Sequence, residues 1–282
     1  MPANEEFNIA VSIVRLSFRP SDRDKVDNST EWYETMNMIT KEPNFRYVAR
    51  GEGVDDICDF MIMVGWVDGT KPSAAFLPGS PDLDTIFAPL QPLLSQRPRV
   101  QTLRHDRSEA TPNLLTTAFR GTLWEPMMEI LTVRGPAGLV EQGVKAVNDT
   151  IWRYFQFRQA ARYDDEATDD YLFNGLTMVS LDDNSSHDSS GGPDEVASFA
   201  LILKWSNREG RADFQDPTLP DLTLTPAMRP RYPGSFWQQR VAKPLQILVE
   251  QGATVSSWDY HKTEIAKDEK GLPIVGKGEM VW

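Results

Sequence analysis

Phe60-Met61-Ile62-Met63-Val64-Gly65-Trp66 and Phe199-Ala200-Leu201-Ile202-Leu203-Lys204-Trp205 decide how this chain is read. Each run opens on Phe, closes on Trp and is apolar on nearly every position, as a strand covered on both faces is. Working outward, other landmarks recur in the same order. Val14-Arg15 returns as Val133-Arg134, and Phe45-Arg46-Tyr47-Val48-Ala49-Arg50 returns as Phe157-Arg158-Gln159-Ala160-Ala161-Arg162. Pro89-Leu90-Gln91 returns as Pro244-Leu245-Gln246. The spacing changes only where one half carries a longer loop, which is how a diverged duplication behaves.

In the first half, the alternation of Phe7, Ile9, Val11 and Ile13 predicts a strand over Phe7–Phe18. Trp32, Met36 and Ile39 form a helical stripe that Pro43 stops. Strands are expected at Phe45–Arg50, Phe60–Val67 and Val100–His105, with a second helix over Leu83–Leu94. The order is β-α-β-β-α-β, the ferredoxin-like one. The second half predicts strands at Met127–Arg134, Phe157–Tyr163, Ser198–Trp205 and Thr254–Thr263, with helices over Ala137–Phe155 and Ser235–Gln251. The fold class is therefore α+β, as two ferredoxin-like repeats. The expected domains are 1–110, a linker at 111–126, and 127–282 with insertions at 182–194 and 207–232. The first insertion is polar and of low complexity. The second is Pro-rich and too long for a plain loop, which leaves a lid or a surface excursion open.

A net charge of -12 and the lack of any Lys/Arg block argue against nucleic acid and against an anionic membrane surface as partners. Cys58 is the single cysteine, so neither a disulfide scaffold nor a Cys-rich metal site is expected. Met1–Glu6 is acidic and lacks an apolar core, and no run reaches membrane-spanning length, so a cytoplasmic address is expected.

The order of landmarks, occurring twice, resembles the dimeric α+β barrel superfamily in tandem form, and within it the antibiotic-biosynthesis monooxygenase-like domains. There the third strand ends in a Trp, as at Trp66 and Trp205. A helix ending in a Leu pair, then a Pro and a short strand, follows, as in Leu93-Leu94-Ser95-Gln96-Arg97-Pro98-Arg99-Val100. The second half keeps Leu248-Val249 but has Gly252 in place of the Pro. The resemblance implies a closed barrel whose interior holds the ligand. Members include cofactor-free oxygenases, haem enzymes, cyclases and dehydratases, and stress-response proteins, so fold does not choose the function.

The oxygenases of this kind pair the strand-end Trp with an Asn four residues earlier. Here those positions are Ile62 and Leu201, so the amide is missing. The small haem-degrading members use a helix His in the region that here holds Phe76. His105, His187 and His261 show no metal-ligand spacing, and no cofactor or metal is expected. No P-loop, dinucleotide fingerprint or nucleophile elbow is present.

Acid–base chemistry remains. Asp259 and His261 share a strand face, so an Asp orienting a His is one candidate, and His105 another. Arg46 and Arg50 share a face, as do Arg158 and Arg162. If that face is the lumen, Arg46 and Arg158 would bind a carboxylate or enolate; if not, they are solvated. Trp66, Trp205, Ile62 and Leu201 are the expected apolar substrate contacts, with packing as the alternative for each Trp. The polar candidates differ between the halves, which points to one pocket biased toward the second half. The expected function is a cofactor-independent cyclisation, dehydration or isomerisation of a small apolar, polyketide- or terpenoid-like metabolite. A monooxygenase on a phenol and a non-catalytic ligand-binding barrel are the alternatives, and a homodimer stays open.

Overall fold

A computed structural model describes residues 9–26, 29–66, 72–77, 79–105, 127–146, 172–180, 196–205, 208–216 and 237–276. The chain divides into two compact units.

The first unit contains β1 (Ile9–Ser17), α1 (Arg23–Val26), α2 (Thr30–Ile39), β2 (Phe45–Gly53), β3 (Asp59–Trp66), α3 (Asp82–Ile86) and β4 (Arg99–His105). It also takes in the chain from Asp259, and with it most of β8 (Thr254–Ile265). Its sheet order is β4-β1-β3-β2-β8, antiparallel throughout. Ser29 caps α2 by accepting from the Trp32 N–H at 3.0 Å. That cap sets the phase that buries Trp32, Met36 and Ile39. In the β1–β3 register Ala10 opposes Trp66 and Leu16 opposes Phe60. Opposed residues share a face. Val14, Leu16, Phe60, Ile62, Val64 and Trp66 therefore turn to one side, where they pack with α2 and Phe76 in a single core. Val11, Ile13, Met61 and Met63 turn to the other side and are equally inaccessible. Gly65 sits on that second side because the Tyr47 ring lies over it: a Cβ there would stand 2.2 Å from Tyr47 Cε1.

The second unit contains β5 (Met127–Pro136), a helix α4 over 137–146, β6 (Leu172–Ser180), β7 (Val196–Trp205), α5 (Arg208–Gln215) and α6 (Lys243–Glu250). A π-helical turn, Gln238–Ala242, leads into α6. The sheet order is β8-β5-β7-β6. In both units the first and third strands are central, as in ferredoxin-like folds, and β5–β7 and β6–β7 are antiparallel. The fold is thus an antiparallel α+β one.

Several expectations change. The segment Leu83–Leu94 is α3 followed by a 3-10 turn over Ala88–Leu93, because Pro89 and Pro92 have no N–H to continue an α ladder. The strand beside β7 is β6, not Phe157–Tyr163, which lies outside the described residues. Leu172 opposes Trp205 with a register shift before Asn174, just as Phe45 opposes Trp66 with a shift before Tyr47. β6 therefore holds the place of β2. The Val14/Val133 match is two residues out of register, since Val133 opposes Phe199 while Leu16 opposes Phe60. A two-residue slip leaves every side chain on its own face, so a hydrophobic pattern cannot detect it. By contacts, the chain from Asp259 joins the first unit, unlike the expected division at 127–282. Part of the 207–232 connection is the helix α5, whereas 111–126, 182–194 and 217–232 lie outside the described residues. Among the described residues no helix is long and apolar enough to cross a membrane.

Candidate functional site

The two strand-end tryptophans each donate the indole N–H to the central strand beside them, and what receives it differs. Trp66 opposes Ala10 and donates to Ser12 Oγ at 3.0 Å, two residues further along β1 on the same face. Trp205 opposes Met127 and donates to Glu129 Oε2 at 2.9 Å, two residues along β5. Ser12 and Glu129 are thus the same position in the two strand pairs. Each Trp also meets an aromatic edge to face, Phe76 at 5.1 Å for Trp66 and Trp237 at 5.8 Å for Trp205.

Around Ser12 the groups are neutral. Ser12 Oγ lies 2.9 Å from Thr102 Oγ1, whose hydroxyl donates to the Phe76 carbonyl at 2.7 Å. Ser12 and Thr102 have no accessible surface. Around Glu129 the circuit is charged. The carboxylate is 2% exposed, in the otherwise apolar run Met127-Met128-Glu129-Ile130-Leu131. Its Oε1 accepts from Arg211 Nη2 at 3.1 Å and Ser257 Oγ at 3.3 Å. Its Oε2 accepts from Trp205 and, at 3.4 Å, from Gln215 Nε2. Arg211 and Gln215 are supplied by α5, and Gln238 holds α5 by donating to the Gln215 carbonyl at 2.9 Å. These donors occupy lone-pair sites of the carboxylate, which offsets the several kcal/mol that burying it would cost. Ser257 is exposed, so the cluster runs from solvent to the interior.

The other expected site residues fall as follows. His261 lies across the β2–β8 pairing from Glu52, with Nε2 3.8 Å from Oε2. Glu52 is also held at 2.8 Å by Arg23, a buried guanidinium that donates to the Ile57 carbonyl and lies over the Phe60 ring. The carboxylate beside His261 is thus Glu52, a residue the sequence reading missed; Asp259 accepts from the Val54 N–H through its backbone carbonyl. His105 belongs to β4, at the opposite edge of the first unit's sheet from β8, so strand pairing does not bring it to His261. Ile62, Leu201 and Trp66 are buried, Ile62 and Trp66 within the first unit's core. Of the four expected apolar contacts, the two tryptophans donate to polar groups, Trp66 to Ser12 and Trp205 to Glu129. The Arg46 carbonyl is taken by the Gly276 N–H at 2.6 Å, and Arg50 is neutralised by Glu264, with Nη2 2.8 Å from Oε1. Arg158 lies outside the described residues. Burial, with Asp56 close by, pushes the Cys58 thiol up, away from thiolate chemistry. Burial likewise pushes the Tyr260 phenol up to about 12.

A cleft of ≈ 450 Å³ lies between α2 and the segment 268–275, lined by Tyr33, Glu34, Asn37, Asp268, Lys270 and Ile274 among others. It contains none of the expected site residues. Among the described residues no three His, Cys, Asp or Glu side chains gather as a metal would need.

Fold and site together define an α+β protein with ferredoxin-like strand order and one buried, solvent-linked carboxylate cluster. No protein-family model matches the chain, and no curated protein matches its sequence. Solved structures do. One is an anthrone oxidase-like protein, at 10% identity and a TM-score of 0.45, covering 92% of this chain and 94% of that one. A candidate monooxygenase from Lactobacillus acidophilus NCFM matches at 11% identity and a TM-score of 0.44, over 96% of this chain and all (100%) of its own. Another, from Fusobacterium nucleatum, matches at 10% identity and a TM-score of 0.46, over 97% and 100%.

Proposed function

We propose that this chain is a small-molecule enzyme that moves a proton through Glu129 and runs an isomerisation, dehydration or cyclisation of a largely apolar secondary metabolite. The observation that carries this reading is the exchange of Ser12 in one strand pair for a buried Glu129 at the same place in the other. Ser12 demonstrates that the packing of a strand-end Trp needs only a hydroxyl there. A carboxylate costs more to bury than a hydroxyl, which supports a chemical use for Glu129. Its longest hydrogen bonds, to Ser257 and Gln215, are the easiest to exchange. A substrate proton reaching Oε1 in place of the Ser257 hydroxyl would meet an ionised base steadied by Arg211. Positioning supplies the rest. The reaction requires no organic cofactor.

The test is solvent exchange. The protein is held in D2O with a panel of enolisable ketones and β-dicarbonyls, and carbon deuteration is followed by NMR. Exchange that slows at least about 100-fold in Glu129→Gln is expected. No exchange with any member, or equal exchange in Glu129→Gln, overturns the reading. Oxygen consumption with a phenol would replace it by the monooxygenase reading. His261, beside Glu52, is the second candidate for proton transfer, and His261→Gln in the same vessels tests it.

A further inference from the structure

The cleft of ≈ 450 Å³ beside α2 lies wholly within the first unit, and each of its two walls is held by bonds of its own. One wall is a stripe of α2. Tyr33, Asn37 and Thr40 recur there at four- and three-residue spacing, beside the buried Met36. The other wall is the turn that follows β8. It reverses at Gly271, whose φ of 76° suits glycine. Its return is pinned to the sheet: the Ile274 N–H donates to the Ala266 carbonyl at 2.8 Å, and the Ile274 carbonyl accepts from the Val48 N–H at 3.3 Å. Asp268 Oδ1 accepts from the N–H groups of Lys270 and Leu272, each at 2.8 Å, which fixes that carboxylate in the wall. Met36 and Ile274 are buried and make the floor apolar. The charges in the lining are Glu34, Asp268 and Glu269 against Lys270, three carboxylates against one ammonium. Lys267, just before the turn, is engaged 3.6 Å from Glu264. Pockets for small molecules span about 300–1,000 Å³, so the cleft has room for one.

We propose that this cleft binds a small organic cation, an ammonium group carried on an apolar body. The sign of the charge follows from the lining: its carboxylates outnumber its ammonium, so the field in the cleft attracts a cation and repels an anion. The apolar body follows from Met36, Pro273 and Ile274, whose surface a hydrocarbon covers better than water does. Tyr33 brings an aromatic ring to the same lining, and cations are attracted to aromatic faces. The cleft shares no residue with the Glu129 cluster, so this binding goes beyond the proton transfer assigned there and stands or falls separately from it.

Phenethylamine, phenethyl alcohol and phenylacetate are the probes, alike in their ring and different in charge. Binding to the full chain is followed by thermal shift and by NMR perturbation of the Tyr33 ring, at low ionic strength because exposed charges are screened by salt. Phenethylamine is expected to bind saturably and raise the melting temperature, the alcohol to bind more weakly and phenylacetate not at all. Glu34→Gln should weaken the amine about threefold, and Lys270→Gln should strengthen it by about the same factor. Those opposite signs separate an effect of charge from one of packing. Asn37→Trp should fill the cleft and abolish binding. Glu34, Asn37 and Lys270 are all exposed, so the three variants keep the fold, which circular dichroism checks. Equal binding of the three probes, no saturable effect of phenethylamine, changes of the same sign in Glu34→Gln and Lys270→Gln, or undiminished binding in a folded Asn37→Trp each overturn the site.

Discussion

Trp66 and Trp205 end the third strand of their respective units, donate to the same position of the first strand, and pack edge to face on an aromatic ring. One circuit runs through the buried Ser12 and Thr102 to the Phe76 carbonyl. The other runs through Glu129 to Arg211, Gln215 and the exposed Ser257. The difference teaches that the scaffold asks only for a hydrogen-bond acceptor under the Trp. What kind of acceptor stands there, and whether solvent can reach it, is what distinguishes the two circuits.

The largest effect should come from removing the charge while leaving its partners. Glu129→Ala takes from the Arg211 guanidinium and the Trp205 N–H their shared carboxylate, a loss of roughly 3–5 kcal/mol in denaturant unfolding. A loss no larger than that of Ser12→Ala would break the contrast between the circuits.

Next comes an effect of pH in the first unit. A tyrosine in the unfolded chain loses its proton near 10.0, and Tyr260 in the fold near about 12. Between those values the unfolded chain is deprotonated and the folded one is not, so stability falls as pH rises through that window. The full fall is on the order of 2 kcal/mol. Tyr260→Phe should flatten the curve above pH 10 and leave it unchanged at neutral pH. An unchanged alkaline limb would remove Tyr260 from the buried groups that matter there.

The tryptophans compare the circuits directly. Trp205→Phe removes a hydrogen bond to a carboxylate, worth about 1.5–3 kcal/mol, whereas Trp66→Phe removes one to a hydroxyl, worth about 0.5–1.5 kcal/mol. Equal losses by calorimetry would mean that the Glu129 charge adds nothing to the bond. The smallest effect belongs to Ser12→Ala, about 1 kcal/mol, with deuterium exchange at carbon unaffected. A fall in exchange there would move the chemistry to the first unit.

Much of this fold is legible in the chain. The runs Phe60–Trp66 and Phe199–Trp205 announce buried strands, because an alternation filled on both faces has no polar side to expose. The site was half legible. A lone acid between Met128 and Ile130 is a visible anomaly, yet its meaning depends on Trp205 lying opposite the neighbouring residue. Arg211 and Gln215 were hidden in a polar, proline-rich stretch without apolar period, and their partner is a residue on another strand, far away in sequence. The second strand of the second unit was misplaced because the Phe and Arg spacing of Phe157–Arg162 imitates Phe45–Arg50, while the real neighbour of β7 carries different residues at Leu172–Ser180.

By itself, then, the sequence determined the α+β class, the two strand-end tryptophans and an acidic, single-cysteine composition. These follow from local periodicity and from counting. Only the tertiary structure decided that Ile62 packs in the core against α2, that His261 stands by Glu52, and that Ser12 and Glu129 occupy one equivalent place. Each of those rests on strand register, and register is set by long-range pairing that a two-residue slip leaves invisible in the pattern.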